Sequence, residues 1–281
     1  MTETTSTPAS PRDAATVLLL RDGGASAAGA LEVYLVKRSR QVDFMAGAHV
    51  FPGGRLDEAD SSPSACALLA SELEILRRRL GEDLPAPQAA GLFVAAIRET
   101  FEEAGVLLGV LGPGWTLEEA RKAVNAGARF TTLAGRLDAA GLVPWVRWVT
   151  PVISPKRFDA RFFLARAPEG QDPQVDGREA VEGLWIAPAE ALALWASGDM
   201  QLAPATAKSL DALCDFPTVE AALGAAAGRV PPVAMPMVWN ENGRAYISLP
   251  GDPRHPEPDT IGGRIRRVQL EGGRYRSVPA T

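Results

Sequence analysis

With 281 residues, 46% of them hydrophobic, the chain can bury a substantial core and is somewhat long for one ordinary domain. A net charge of −5 argues against a general nucleic-acid binder, while leaving room for a local basic cleft. Cys66 and Cys214 form no CxxC, and His49 and His255 are few and widely separated, so neither a disulfide framework nor a Cys or His metal centre is suggested.

Residues 1–13, rich in Thr, Ser, Ala and Pro, lack the basic and apolar parts of a signal peptide and read as a disordered tail. Segments 14–20 and 31–37 read as strands around a Gly/Ala/Ser-rich turn at 22–29. Val50-Phe51 ends a short strand that enters Pro52-Gly53-Gly54. A helix is expected over 64–80, carrying Leu68, Leu69, Leu73, Ile75, Leu76 and Leu80 and stopping at Gly81. Pro85 and Pro87 lead into a second helix near Ala89. Further on come a helix at 117–126, strands at 145–149, 161–165 and 182–186, and a helix at 188–195. Beyond Gly198, 204–226 reads as helical with an interruption at Pro217, and 231–236 as a proline-bearing link. Strands are expected at 245–249, 265–270 and 274–278, with Glu271-Gly272-Gly273 closing the last two as a hairpin.

Mixed strands with helices on both faces suit an α/β/α sandwich. The core would span 14–198, with 199–281 an extension packed on the same domain that shapes either the pocket or a homo-oligomer interface. No apolar stretch is long enough for a membrane span, the terminal Val278-Pro279-Ala280-Thr281 is not a Ser-Lys-Leu-type address, and a cytoplasmic location is the default expectation.

The run Arg98-Glu99-Thr100-Phe101-Glu102-Glu103-Ala104-Gly105-Val106 carries the chemistry. With Glu99 at zero and about 100° per residue, Glu103 falls at about +40° and Glu102 at about −60°. Val94, Ile97, Phe101 and Ala104 lie on the opposite side. As a solvated acidic face this arrangement is costly. Like charges at these spacings repel by roughly a few tenths of a kcal/mol each, and the last turn of a helix disfavours anions. A divalent cation reverses both penalties, because hard ions prefer clustered carboxylate oxygens.

That run, with Phe51-Pro52-Gly53-Gly54 upstream, resembles the signature helix and preceding loop of the Nudix hydrolases. The resemblance implies a Nudix-type α/β/α sandwich with a mixed sheet and Mg²⁺ or Mn²⁺ as cofactor. It also implies metal ligation by the Gly53 carbonyl with Glu99, Glu102 and Glu103. Glu99 or Glu103 would serve as base, and Arg98 as an orienting salt-bridge partner. The family pattern expects a glutamate between the glycine loop and the arginine; counting forward from Gly54 reaches Asp60, and counting back from Arg98 reaches Ala90. The box is therefore split by an insertion over 56–90, and Asp60 is the nearest substitute for the glutamate that pairs with the arginine. The helix inside the insertion is either a lid or wall of the substrate pocket, or a cover on the core edge.

Arg38-Ser39, Gly47 and Phe51-Pro52-Gly53-Gly54 narrow the resemblance to the branch that includes the peroxisomal coenzyme A and acyl-CoA diphosphatases. Asp43 stands where that branch has a second arginine. Trp148-Val149-Thr150-Pro151 and the segment from Arg157 to Ala165 resemble the same branch. Substrate-side candidates are Arg38, Phe51, Arg157 and Arg161; the guanidinium groups of the arginines match phosphate, and the other reading of the last two is surface charge beside an edge strand. Glu179 and Glu182 are either a late acidic loop completing the metal or base set, or ordinary surface glutamates. The implied activity is metal-dependent hydrolysis of a diphosphate linkage in a small molecule, coenzyme A or an acyl-CoA first, and ADP-ribose, NADH or a nucleotide sugar next. The competing class is a Nudix-fold protein that binds a nucleotide without cleaving it.

Overall fold

The computed structural model describes residues 9–23, 31–39, 41, 45–175, 177 and 179–280. Most of the expected tail, the turn after the first strand and Asp43 lie outside the described residues. In chain order come β1 (Arg12–Asp22), β2 (Leu31–Arg38), β3 (His49–Val50), β4 (Gly53–Arg55), α1 (Pro63–Cys66), α2 (Leu73–Leu80) and α3 (Ala86–Ala104). Next are β5 (Gly109–Leu111), α4 (Leu117–Asn125), α5 (Phe130–Leu133), β6 (Ala134–Leu137), β7 (Val143–Val149), β8 (Phe158–Arg166) and β9 (Ala180–Ile186). The chain ends with α6 (Pro188–Ser197), α7 (Pro204–Leu213), α8 (Val219–Ala226), β10 (Val233–Ala234), β11 (Met237–Glu241), β12 (Arg244–Ser248), β13 (Arg267–Glu271) and β14 (Arg274–Val278).

The main sheet is mixed. β1 runs parallel to β8 along its length, and is antiparallel to β4 at its start and to β2 at its end. β7 extends the sheet beyond β8, and β9 lies beside β2. Alternation along the strands feeds two cores: Ala15, Val17, Leu19 and Phe163 pack under α3, whereas Leu18, Leu20, Phe162 and Leu164 pack with residues of α6, α7 and α8. Each layer of helices thus covers one side of a sheet whose central strands are apolar on both faces. Among the described residues no helix is long and apolar enough to cross a membrane.

Several expectations need correction. β1 begins at Arg12 and pairs with β8 there, so 12–13 belong to the sheet rather than to a tail. The helix expected at 64–80 is two helices, α1 and α2. Between them Leu68 and Ala70 exchange backbone hydrogen bonds with Leu137, and satisfying those groups outside the helix interrupts it. Residues 86–90, expected in the insertion, form the first turn of α3, where Pro87 costs nothing because the first N–H groups of a helix have no intrahelical partner. The β5–β6 ribbon and β11 were not foreseen. β11 joins β12 through Asn242-Gly243, both residues in the left-handed region (φ 51° and 76°), a two-residue hairpin turn that Asn-Gly favours. Gly272-Gly273 closes β13 to β14 in the same way, as expected.

Candidate active site

The glutamates sit at the end of α3, whose opposite side is buried from Ala89 to Ala104. Gly105 ends the helix in the left-handed conformation (φ 70°), returning its N–H to the Phe101 carbonyl. The electrostatic problem of anions in a last turn has a local answer that the sequence did not reveal. The Arg121 guanidinium, from α4, donates to the carbonyls of Glu102 and Glu103 at 3.0 Å and so places a cation on the negative helix end.

Pairing of β4 with β1 lays the glycine loop beside this turn. The Gly53 N–H donates to Glu103 Oε2 at 3.0 Å. A Cβ on Gly53 would strike the Ala15 carbonyl, and one on Gly54 would run into the Glu99 carboxylate. The two glycines permit a backbone-to-carboxylate approach that no other residue allows.

Arg98 organises the acidic face. Its Nε and Nη2 donate to the two carboxylate oxygens of Asp60 at 2.9 Å each, and Nη2 also donates to the Arg55 carbonyl at 3.0 Å. Nη1 donates to Glu99 Oε1 at 2.8 Å and to Glu102 Oε2 at 3.3 Å. Asp60, 2% exposed, sits in a 3₁₀ turn (Glu58–Ser61) and accepts the Asp57 N–H, so the residue reached by counting across the split box does pair with the arginine. Burial opposes the Arg98 charge, but these carboxylates outweigh it and raise the pKa. Burial lifts Glu99 to about 7, with Arg98 opposing and Glu102 adding to the shift. Burial and then the Glu99 charge lift Glu103 to about 8, against the Gly53 N–H and the Arg38 charge. Glu102 is raised as well, again chiefly by burial.

This face opens into a cavity of about 1050 Å³. Arg38, Phe51, Gly53, Gly54, Glu99, Glu102, Glu103 and Glu179 all line it, joined by Arg55 and Asp57, which the sequence did not single out although Arg55 directly follows the glycine loop. Three expected residues lie elsewhere. Arg161 is 3% exposed and bound to Glu82, Asp13 and Asp159. Its neighbours Ala160 and Phe162 face the cavity, so the two-residue period of β8 turns Arg161 to the other side. β8 lies between β7 and β1 and is not an edge strand. Arg157 donates to the carbonyls of Thr150 and Ala9, tying the loop before β8 to the N-terminal segment. Glu182 stands opposite Lys37 on the neighbouring strand and pairs with it at 3.1 Å, outside the cavity.

Among the described residues no three His, Cys, Asp or Glu side chains are gathered closely enough to enclose a metal ion; the three glutamates form a face, not a closed cage. The donor set is nonetheless all oxygen, and the pKa values of Glu99 and Glu103 are raised first by burial and in smaller part by neighbouring carboxylates, a charge that a hard cation would relieve. The residues therefore fit such an ion in chemistry and in charge.

The NUDT19 Nudix domain matches this chain over residues 11–94 and 75–213. The chain belongs to the Nudix family. Among its Nudix relatives, the acyl-coenzyme A diphosphatase NUDT19 of Gallus gallus is 33% identical over 235 residues, covering 66% of this chain and 61% of the relative. The human protein of that name is 32% identical over 225 residues, covering 65% and 60%. The chain thus spans about 60% of the length of these two relatives. A crystal structure of a Nudix hydrolase from Alicyclobacillus acidocaldarius superposes with a TM-score of 0.60 at 28% identity, covering 76% of this chain and 96% of the other. Nudix hydrolases generally use divalent metals.

Proposed function

We propose that this chain is a Mg²⁺- or Mn²⁺-dependent diphosphatase acting on coenzyme A or an acyl-CoA. The observation that carries the reading is the acidic turn of α3 meeting the Gly53-Gly54 loop at the wall of a cavity much larger than a diphosphate needs. Glu99, Glu102 and Glu103, with the Gly53 carbonyl, would hold the metal, Glu99 and Glu102 through the carboxylate oxygens that Arg98 does not engage. The bound ion would polarise the phosphoryl oxygens and lower the pKa of an attacking water. Glu99 or Glu103 accepts the proton of that water, both being buried carboxylates of raised basicity. The water oxygen bonds to phosphorus as the bridging P–O bond breaks, giving 3′,5′-ADP and 4′-phosphopantetheine or its acyl form. Arg98 is a positioning residue, held by Asp60 while its other nitrogen orients Glu99 and Glu102. Arg38, beside Glu103, and the exposed Arg55 are placed to meet substrate phosphate; Phe51, 3% exposed, shapes the wall by packing edge-on to Phe162. Glu179 adds negative charge near Glu103 and is the one late-loop acid on the cavity among the two expected.

The test is incubation of the purified chain with Mg²⁺ or Mn²⁺ and a panel of coenzyme A, acyl-CoAs, ADP-ribose, NADH and nucleotide sugars, with products identified by mass spectrometry. Cleavage of the CoA species, lost on Glu102→Gln or Glu103→Gln with folding unchanged, is the expected result. Cleavage of another panel member alone replaces the substrate. Binding without turnover of any member leaves a nucleotide-binding protein.

A further inference from the structure

The matched Nudix segments end at residue 213, yet a wall of the same cavity is built by the four-stranded sheet β11–β14. Cross-strand register places Val238 opposite Ile247, Ala245 opposite Leu270, and Leu270 opposite Tyr275. With the two-residue period of strands, these five side chains share one face, and all five line the cavity. The other face is polar and aromatic: Trp239 stacks on Tyr246 at 4.5 Å, and Arg254 lies 3.9 Å over the Trp239 ring.

The inward face is apolar throughout its centre, and it is not fully used by folding. Val268, on the same face, is completely buried in the core, and Ile247 and Tyr275 pack against that core. Leu270, by contrast, keeps 37% of its surface, and Ile153, elsewhere on the cavity lining, keeps 71%. The cavity therefore has an ionic side at α3 and the glycine loop, and an apolar side with surface left to bury.

We propose that the inward face of the C-terminal sheet binds the acyl chain of an acyl-CoA and sets the preference of this chain for acyl length. The inference rests on the coenzyme A reading above, and adds a specificity-determining surface outside the Nudix segments. Apolar chain and apolar wall would leave water together, at about 0.8 kcal/mol for each methylene buried, while the diphosphate stays at the acidic turn. Leu270 and Val238 are the residues that make the difference between acyl and free coenzyme A.

Two readouts test this on the full chain. Calorimetric titration with coenzyme A, hexanoyl-CoA and lauroyl-CoA before any metal is added reads binding apart from turnover, and kcat/KM for the same three with Mg²⁺ reads specificity. Lauroyl-CoA should bind and react better than coenzyme A. Leu270→Asp and Val238→Asp should each lower the lauroyl-to-CoA ratio by about tenfold or more, the loss expected when two methylenes are deprived of apolar contact. If an Asp variant fails to fold, Leu270→Ser, at a half-exposed position, decides the matter. A ratio unchanged in folded variants overturns the proposal. So does a wild-type protein that cleaves coenzyme A with no dependence on acyl length, a result that leaves the diphosphatase reading standing. Absence of both binding and cleavage for all three compounds overturns the coenzyme A reading itself, and this inference with it.

Discussion

A methyl group on Gly54 would occupy the space of the Glu99 carboxylate, while the backbone there needs no unusual conformation. Gly54→Ala should therefore leave thermal stability nearly unchanged and displace Glu99. A misplacement of about 1 Å in a reacting group costs on the order of 10²-fold in rate, so kcat should fall by about that much; full activity would show that Glu99 has no precise task. Asp60 poses the opposite case. It is buried, and both its oxygens are engaged by Arg98. Breaking a buried pair costs roughly 3–5 kcal/mol, and because Arg98 keeps Glu99, Glu102 and the Arg55 carbonyl, Asp60→Ala should fall near the lower end. Urea unfolding measures it, and a loss under about 1 kcal/mol, the scale of an exposed pair, would contradict the burial argument.

At the scale of one element, the end of α3 holds more negative charge than a helix terminus favours. Glu99 and Glu103 titrate near 7 and 8 in the folded chain, against about 4.3 for an unfolded glutamate. Their folded pKa values are raised, so the stability they contribute is complete below about pH 4 and is lost as pH rises through 7 and 8. A divalent cation held there, as proposed, would compete with those protons. Millimolar Mg²⁺ or Mn²⁺ should thus raise the melting temperature more at about pH 8.5 than at about pH 6, by about 2–4 °C for each kcal/mol of coupling at this chain size. Glu103→Gln should shrink the difference. Equal shifts at both pH values would mean that the cation binds elsewhere.

Across the whole molecule, Arg161 joins the insertion to the sheet. It pairs with Glu82 just after α2, with Asp13 on β1, and with Asp159 on its own strand, while Arg147 also reaches Glu82 at 2.9 Å. Arg161→Met would leave those carboxylates short of a buried partner, for a loss of roughly 3–5 kcal/mol. Limited proteolysis should then cut first within residues 67–85, because that segment loses its tie to β8. Cutting that begins elsewhere, at unchanged stability, would show that the apolar packing of α2 on α3 suffices without the ion pairs.

What the sequence determined by itself was local. Glutamates three and four apart share a helix face because the helical period requires it, and Gly105 ends that helix because a left-handed residue suits glycine. The Gly272-Gly273 turn follows from the same backbone preference. Asp60 was legible only by counting against a family pattern, since its partner lies 38 residues on. The rest depended on tertiary structure. Arg161 looked available to a phosphate, but two of its partners, Glu82 and Asp13, are 79 and 148 residues away, and a central strand buried on both faces gives no sign of which face meets the cavity. Arg157 and Glu182, each left open between a substrate-side and a surface role, likewise have partners, Ala9 and Lys37, 148 and 145 residues away. The apolar wall of β11–β14 had a local signal in Asn242-Gly243, yet nothing in the chain from 237 to 278 says that it returns to the acidic turn of α3. That placement is decided by what the sheet packs against, a property of the folded surface and not of any one segment.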